Sequence, residues 1–127
     1  MVFRDVVSPC PCCGYLVHLE PPGSSMICPI CYWEDDLLQL RWPLYAGGAN
    51  RVTLADAQRN YLGLGVSDRC FSDLVRAPRE TEVQDAGFRV VDLERDNFEL
   101  TFVQQAPWPS DRTALYWWRP HFWRIGI

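Results

Sequence analysis

The chain has 127 residues, of which 48% are hydrophobic and 13% aromatic. That length and apolar content suffice for one domain with a packed core, and they argue against a disordered chain. The formal net charge is −4, and all twelve basic residues are arginine. No apolar run approaches the roughly 18 residues that a membrane-spanning helix needs, so we expect a soluble protein with no membrane partner.

The chain opens on Met1-Val2-Phe3-Arg4-Asp5 and continues into polar sequence, without the apolar run of a secretory signal. Disulfides belong to oxidising compartments. We therefore expect a cytoplasmic protein whose cysteines stay reduced.

Two CPxC motifs, at residues 10–13 and 28–31, carry the strongest chemical signal in the chain. In each motif the two intervening residues let the chain turn back, so that both sulfur atoms can face one ion. Fourteen residues separate the motifs, which is typical of paired knuckles in small zinc modules. The spacing predicts that one zinc ion is held by Cys10, Cys13, Cys28 and Cys31.

Other uses of these thiols stay open as alternatives. Iron shares the tetrahedral thiolate geometry of zinc, so the sequence does not separate the two metals. Residues 10–15, which read CxxCGY, are similar to rubredoxin, but the second knuckle of rubredoxin lies much further along its chain. A redox-active CxxC usually stands alone, whereas two copies in tandem favour a shared ion.

The remaining thiols and the two histidines have plainer interpretations. We interpret Cys12 as a residue that fills the knuckle, and Cys70 as a buried thiol on an apolar helix face. His18 and His121 could each replace a thiolate ligand, but four correctly spaced cysteines make that unnecessary.

Residues 8–33 are predicted to form a zinc-ribbon-like unit, in which a short hairpin pairs residues 15–19 with residues 25–27 between the knuckles. A helix should follow, because Thr53 can cap it and Asp56 occupies the third helical position. Gly63 and Gly65 should end that helix. A second short helix is expected from Ser67 to Arg76, before Pro78.

The C-terminal third changes to a strand pattern. Residues 87–93 and 98–103 flank a turn and predict an antiparallel hairpin, with Phe98, Leu100 and Phe102 on the buried face. Residues 113–119 are predicted to add a third strand. The expected fold is α+β and forms a single domain, 1–127. Its parts are a zinc-knuckle unit (1–46), a helical segment (47–78), and antiparallel strands with an aromatic-rich tail (79–127).

Four sequence blocks together resemble one family: CPCCG at 10–14, CPICYWEDD at 28–36, GGAN at 47–50, and a Thr-Leu-x-x-Ala-x-x-Asn-Tyr helix. In this order they resemble the bacterial cysteine-rich CPCC family over roughly the first 75 residues. The resemblance implies a small metal-binding protein with no established catalytic activity, in which Cys10, Cys13, Cys28 and Cys31 are the ligands. It also implies an acidic signature, Trp33-Glu34-Asp35-Asp36, and a gene encoded beside a polymorphic toxin, as for some members of the family.

Two segments are candidate partner-binding surfaces. Glu34, Asp35 and Asp36 form either a solvated acidic edge that caps or begins a turn, or an acidic contact for a basic partner. The segment 108–123 holds four of the six tryptophans, and these rings fill a core or form an interface. In that segment the candidate partner-binding residues are Trp117, Trp118 and Arg119.

We therefore expect a zinc-binding, non-catalytic protein that acts as a protein-interaction module, in the form of an immunity protein that neutralises a bacterial toxin. One alternative is a zinc ribbon that binds nucleic acid, although the first forty residues carry five acidic side chains against the single base Arg4. A thiol-dependent redox enzyme is the other alternative, but no GxSxG, P-loop or Rossmann fingerprint appears.

Overall fold

The computed structural model describes residues 7–127. In chain order the elements are strand β1 (Ser8–Pro9), strand β2 (Leu16–His18), helix α1 (Leu37–Arg41), helix α2 (Leu54–Leu64) and two 3₁₀-helices, Arg69–Leu74 and Arg112–Leu115. The chain is α+β, as predicted. Residues 1–5, on which the cytoplasmic expectation rests, lie outside the described part. None of the helices in residues 7–127 has the length and apolar character of a bilayer crossing.

Strands β1 and β2 pair antiparallel, with Ser8 opposite His18 and Pro9 opposite Leu16. The first CPxC motif therefore lies in the turn of this hairpin. The predicted pairing of residues 15–19 with residues 25–27 was wrong. Each knuckle instead closes on its own flanks, because β2 returns to β1 and an isolated bridge joins Ile27 to Glu34 around the second motif.

Helix α1 begins directly after the acidic stretch that follows the second knuckle. The Asp36 carboxylate accepts hydrogen bonds from the N–H groups of Leu38, at 2.7 Å, and Gln39, at 3.4 Å. This N-cap satisfies donors that have no partner within the helix. Pro43 follows the helix closely and limits its length. With five residues α1 is too short to show a helical period in the sequence, and for that reason it was not predicted.

Helix α2 confirms its predicted start at Thr53 and its predicted end at Gly65, whereas Gly63 lies inside the helix. The Thr53 hydroxyl accepts a hydrogen bond from the Asp56 N–H at 2.9 Å, and Gly65 closes the helix in the left-handed region at a φ of 75°. The next predicted helix is present as the shorter 3₁₀-helix Arg69–Leu74, capped by Asp68.

The predicted C-terminal hairpin of residues 87–93 and 98–103 is absent, since these segments run as turns and irregular chain. The predicted alternation is reversed at its centre: Glu99 is 5% exposed, whereas Leu100 is 74% exposed. Glu99 faces inward because it pairs with the buried Arg41. Phe102, with a φ of 61°, leaves the extended conformation that a strand needs.

The predicted third strand, 113–119, is also replaced by other structure. Asp111 caps the 3₁₀-helix Arg112–Leu115, and the chain then turns inward to bury Tyr116 and Trp117. The core thus combines the knuckles with aromatic side chains from both ends of the described chain. Its buried members include Cys10, Cys28, Ile30, Trp33, Leu40, Leu54, Leu115, Tyr116, Trp117 and Phe122.

Candidate metal centre

The sulfur atoms of Cys10, Cys13, Cys28 and Cys31 all lie within 4.8 Å of one another. The Sγ atoms of Cys10 and Cys31 are 3.6 Å apart, and those of Cys13 and Cys28 are 3.7 Å apart. A tetrahedral ion with metal–sulfur bonds of about 2.3 Å requires sulfur–sulfur distances of about 3.8 Å. The two closest pairs match that edge length, so the four cysteines are positioned to bind one metal ion.

The four thiols are also shielded from water, because each of these cysteines is at most 1% exposed. All six cysteines of the chain are free in this structure. A set of four soft sulfur donors in tetrahedral proximity suits zinc or iron and does not suit magnesium or calcium, which prefer oxygen.

The first knuckle is shaped by two backbone hydrogen bonds. The Cys10 N–H donates to the Tyr15 carbonyl at 2.9 Å, and the Gly14 N–H donates to the Cys10 carbonyl at 2.7 Å. These bonds close a tight turn around the first CPxC motif and bring the sulfur atoms of Cys10 and Cys13 to one side.

The second knuckle repeats both bonds at equivalent positions. The Cys28 N–H donates to the Trp33 carbonyl at 2.9 Å, and the Tyr32 N–H donates to the Cys28 carbonyl at 2.9 Å. The Ile30 N–H also lies 3.4 Å from the Cys28 sulfur, as a donor that stabilises a thiolate. The repeated sequence motif therefore folds into a repeated structure, and each copy contributes two cysteines to the cluster.

In each knuckle the residue after the second cysteine adopts the left-handed conformation. Gly14 has a φ of 82° and Tyr32 a φ of 70°. Gly14 is needed for a second reason, since a Cβ atom there would overlap the ring of Phe88. Phe88 therefore packs directly on the first knuckle, where only a glycine leaves room for its ring.

Charge on the four sulfur atoms explains why a cation fits among them. Burial raises the pKa of the Cys10 and Cys31 thiols, whereas hydrogen bonds from Cys10, Cys13 and Cys31 lower the pKa of Cys28. Several thiolates in one buried cluster repel each other unless a positive charge lies among them. A divalent ion would supply that charge, so the donor set fits a metal ion.

Carbonyl groups of both knuckles accept hydrogen bonds from distant parts of the chain. Such contacts hold the backbone of both knuckles in place, and sequence reasoning missed them because amide and hydroxyl side chains carry no spacing pattern. The donors are Tyr116 Oη to the Pro9 carbonyl, Gln58 Nε2 to Pro11, Gln84 Nε2 to Cys13, the Asp85 N–H to Gly14 and the Ser67 N–H to Cys31, at 2.8 to 3.0 Å.

The other thiols and histidines lie outside the four-cysteine cluster. Cys12 is buried in the first knuckle, in agreement with its interpretation as a filler. The prediction of a buried Cys70 was wrong, because this thiol is exposed on a 3₁₀-helix that buries no residue. His18 is buried beside β1, and the His121 ring lies at the surface, 2.9 Å from the Thr113 hydroxyl.

The acidic signature is largely built into the structure. Asp35 is 1% exposed, and its Oδ2 atom accepts hydrogen bonds from the N–H groups of Gly23 and Ser24 and from the Ser24 hydroxyl. Asp36 caps α1 and also accepts from the Ala49 N–H at 2.7 Å. The carboxylate of Asp35 is therefore inaccessible to a partner, which corrects its assignment as a contact residue. Glu34 is half-buried.

The GGAN segment meets this signature through Asn50. The Asn50 side chain accepts from the Glu34 N–H at 3.0 Å and donates to the Glu34 carbonyl at 2.8 Å. The buried Gln39 amide donates to three carbonyls of the same loop, those of Tyr45, Asn50 and Val52. These bonds connect the acidic signature, residues 33–36, to the GGAN segment, residues 47–50. Together they fix one turn beside the second knuckle.

The remaining candidate contacts lie in the aromatic tail. Trp117 is 3% exposed and donates from Nε1 to the Arg89 carbonyl at 3.0 Å, so its ring belongs to the core. Trp118 and Arg119 are half-buried, and both donate to Asp85 Oδ2, at 2.7 and 3.0 Å. The tail is therefore core at Trp117 and partly accessible at the two residues that follow.

Comparison with known families agrees with this geometry. The family model described as Cysteine-rich CPCC matches residues 8–82, more than half of the chain, including all four clustered cysteines and helix α2. No curated protein matches the chain significantly. The chain belongs to the cysteine-rich CPCC family.

Proposed function

We propose that the four cysteines Cys10, Cys13, Cys28 and Cys31 hold one zinc ion, and that the protein is a non-catalytic protein-interaction module. The observation that carries the metal assignment is the convergence of four buried sulfur atoms within 4.8 Å. Zinc is favoured over iron because paired knuckles at this spacing are typical of small zinc modules.

A structural role for the ion follows from the closed site. A catalytic zinc keeps one coordination position for water or substrate, whereas four protein ligands fill a tetrahedral shell. The buried thiols leave no solvent-facing side at which a substrate could approach. The ion would therefore stabilise the fold by joining the two knuckles.

The exposed thiol gives little support to a thiol-dependent enzyme. Desolvation and the neighbouring Asp68 carboxylate raise the pKa of Cys70. A raised pKa keeps the thiol protonated at neutral pH, whereas a reactive cysteine needs thiolate character. We therefore propose a non-catalytic role for Cys70 as well as for the four buried cysteines.

An apolar surface patch, formed by Leu44 and by residues of the C-terminal half, supports a role in protein binding. We define the apolar patch as Leu44, Leu93, Leu100, Phe102, Val103 and Trp108, which are all exposed. The Phe102 ring lies 4.4 Å from the Tyr45 ring and 5.3 Å from the Trp42 ring, and Trp42 lies 5.8 Å from Trp108. Contiguous exposed apolar residues are typical of interaction surfaces.

A groove of about 240 Å³ lies next to these residues and is lined by Trp42, Phe98 and Leu100, among others. Such a groove could take an apolar side chain from a partner, as interface pockets do. The patch is therefore a better candidate surface than the acidic signature, whose Asp35 is buried.

The partner we propose is a bacterial toxin that the protein neutralises. The family resemblance supports this proposal, since it implies a gene beside a polymorphic toxin, where a small acidic neighbour commonly serves as an immunity protein. The net charge of −4 would favour encounter with a basic toxin.

The test is co-expression with the toxin encoded by the neighbouring gene. We expect the wild-type protein to bind that toxin and to protect the host cell, and we expect Leu100→Ser to weaken both effects. Leu62→Ser is the matched control, because Leu62 is 72% exposed on α2 and Leu100 is 74% exposed in the patch. Failure of the wild-type protein to bind or neutralise the toxin would refute the immunity role, and equal effects of the two variants would refute the patch.

A further inference from the structure

A second cavity lies on the aromatic tail, with a volume of about 520 Å³. We call it the arginine-lined pocket. Its lining includes Arg89, Arg95, Arg119 and Arg124 together with Trp117 and Trp118. Four of the twelve arginines of the chain therefore line one cavity, and two indole rings lie among them.

The charge of this pocket is opposite to that of the whole chain. Asp96 is the one acidic side chain among the lining residues, and Asp85 pairs with Arg119 from outside the lining, so two of the four arginine charges have no side-chain ion pair among the described residues. The full chain carries a net charge of −4. A concave site with one sign of charge concentrates ions of the other sign.

Two of the four arginines are compensated within the fold. Arg89 forms a two-point ion pair with Asp96, at 2.6 and 2.8 Å. Arg119 donates from Nε to Asp85 Oδ2 at 3.0 Å. These two residues mainly hold the wall of the pocket in place, because their carboxylate partners already satisfy much of their charge.

Arg124 is the third arginine of the pocket lining, and its side chain is buried: the residue is only 6% exposed. Its guanidinium donates to the Asn97 carbonyl at 2.9 Å and to Asn97 Oδ1 at 3.4 Å, and both acceptors are neutral. Glu99 is held at two points by Arg41. Arg124 helps to lower the pKa of the nearby Glu99, but among the described residues no carboxylate lies within ion-pair distance of Arg124 itself. A buried charge without a direct counter-charge is costly.

Arg95 adds a second uncompensated charge to the pocket lining. Its side chain is exposed and makes no ion pair within residues 7–127. An arginine guanidinium stays protonated at any physiological pH and presents a planar set of donors that suits phosphate and carboxylate groups. Arg95 and Arg124 both line the pocket without an ion-pair partner among the described residues, so both are available to an anion.

We propose that the arginine-lined pocket binds a small organic oxyanion, a phosphate or carboxylate group attached to a flat apolar body. The anionic group contacts Arg95 and Arg124, and the flat body packs near Trp118. The volume lies in the range of about 300 to 1,000 Å³ that small-molecule sites occupy. Aromatic side chains offer a flat partner for such a body. This site is separate from the four cysteines and does not depend on the proposed immunity role.

The test titrates the purified, metal-loaded protein with phenyl phosphate, benzoate and the neutral analogue benzamide, followed by tryptophan fluorescence and calorimetry. We expect phenyl phosphate or benzoate to bind and benzamide not to bind. The anion that binds more tightly shows whether the pocket prefers a phosphate or a carboxylate group. Arg124→Gln should weaken binding about 10-fold or more, as expected for a buried charged hydrogen bond. Arg95→Gln should weaken it about 3-fold.

Arg69→Gln is the matched control, since Arg69 is also exposed but lies on the 3₁₀-helix Arg69–Leu74, outside the pocket lining. If Arg124→Gln does not fold, the comparison of Arg95→Gln with Arg69→Gln decides alone. Equal weakening by these two variants, or binding of benzamide as tight as that of benzoate, would overturn the proposal. A single-stranded oligonucleotide that binds while both small anions are silent would also overturn it, in favour of nucleic acid.

Discussion

Arg41 and Glu99 form a buried, two-point ion pair across 58 positions of sequence, with both side chains 0% exposed. The Arg41 guanidinium also lies 4.5 Å from the Trp108 ring and 4.7 Å from the Trp123 ring. This pair connects helix α1 to the C-terminal third. It also explains why that third is not the predicted hairpin, because it draws Glu99 inward.

We predict that Glu99→Gln strongly destabilises the protein, since it leaves the Arg41 charge buried without its counter-charge. Removing one partner of a buried ion pair costs about 3 to 5 kcal/mol. The free energy of unfolding from denaturant titration measures this loss. The matched control is Glu94→Gln, because Glu94 is exposed and should tolerate the change. A Glu99→Gln variant as stable as the control would contradict this account of the pair.

The same pair predicts a pH dependence. Burial alone would raise the pKa of Glu99, but hydrogen bonds from Arg41 and from the Gln105 N–H hold that pKa below its ordinary value. The ion pair should therefore contribute fully above about pH 4.3, the ordinary pKa of glutamate, and less as pH falls through the lowered value. The difference in free energy of unfolding between wild type and Glu99→Gln should therefore decrease as the pH falls below about 4.3. A gap that widens towards acid pH would show the opposite sign.

Gly14→Ala should destabilise the first knuckle more than Gly47→Ala destabilises its loop. Both glycines have a positive φ, 82° and 87°, so both alanines carry backbone strain. Only at Gly14 would the new Cβ also meet a side chain, Phe88, whereas at Gly47 nothing lies within 4 Å. The added overlap should cost about 1 to 3 kcal/mol. Thermal unfolding of the two variants compares them, and equal losses would show that Phe88 moves aside freely.

Asp35→Ala should destabilise the turn between the knuckles, because it removes the acceptor for two backbone N–H groups and one hydroxyl. Unpaired donors in a partly buried turn cost about 1 to 3 kcal/mol. Glu34→Ala serves as the control, since the Glu34 side chain makes no hydrogen bond or ion pair in the described residues. If denaturant titration finds the Glu34 variant to be the less stable one, the acidic signature is not structural at Asp35.

The local elements of the first half could be read from the sequence. Paired cysteines at fixed spacing predicted the four-sulfur cluster, and Thr53 with Gly65 predicted both ends of α2, because these signals depend on residues close in sequence. The helix α1 was missed because five residues show no helical period, although Asp36 was recognised as a candidate cap.

The C-terminal third could not be predicted in this way. Its conformation depends on pairs that are distant in sequence, such as Arg41 with Glu99 and Tyr116 with the Pro9 carbonyl. The alternation of Phe98, Leu100 and Phe102 indicated a strand, but a buried ion pair outweighed that apolar pattern. The accessibility of Trp117 likewise depends on packing against distant rings, for example Phe98 at 6.1 Å.

Native mass spectrometry before and after treatment with a chelator tests most directly whether the four cysteines bind one metal ion. We predict one zinc ion per chain in the wild type, retained in Cys70→Ser and lost in Cys13→Ser. Removal of the ion should unfold the knuckles, since structural zinc supplies about 10 to 16 kcal/mol of apparent binding free energy. A wild-type protein that carries no metal as purified and yet is fully folded would contradict the account.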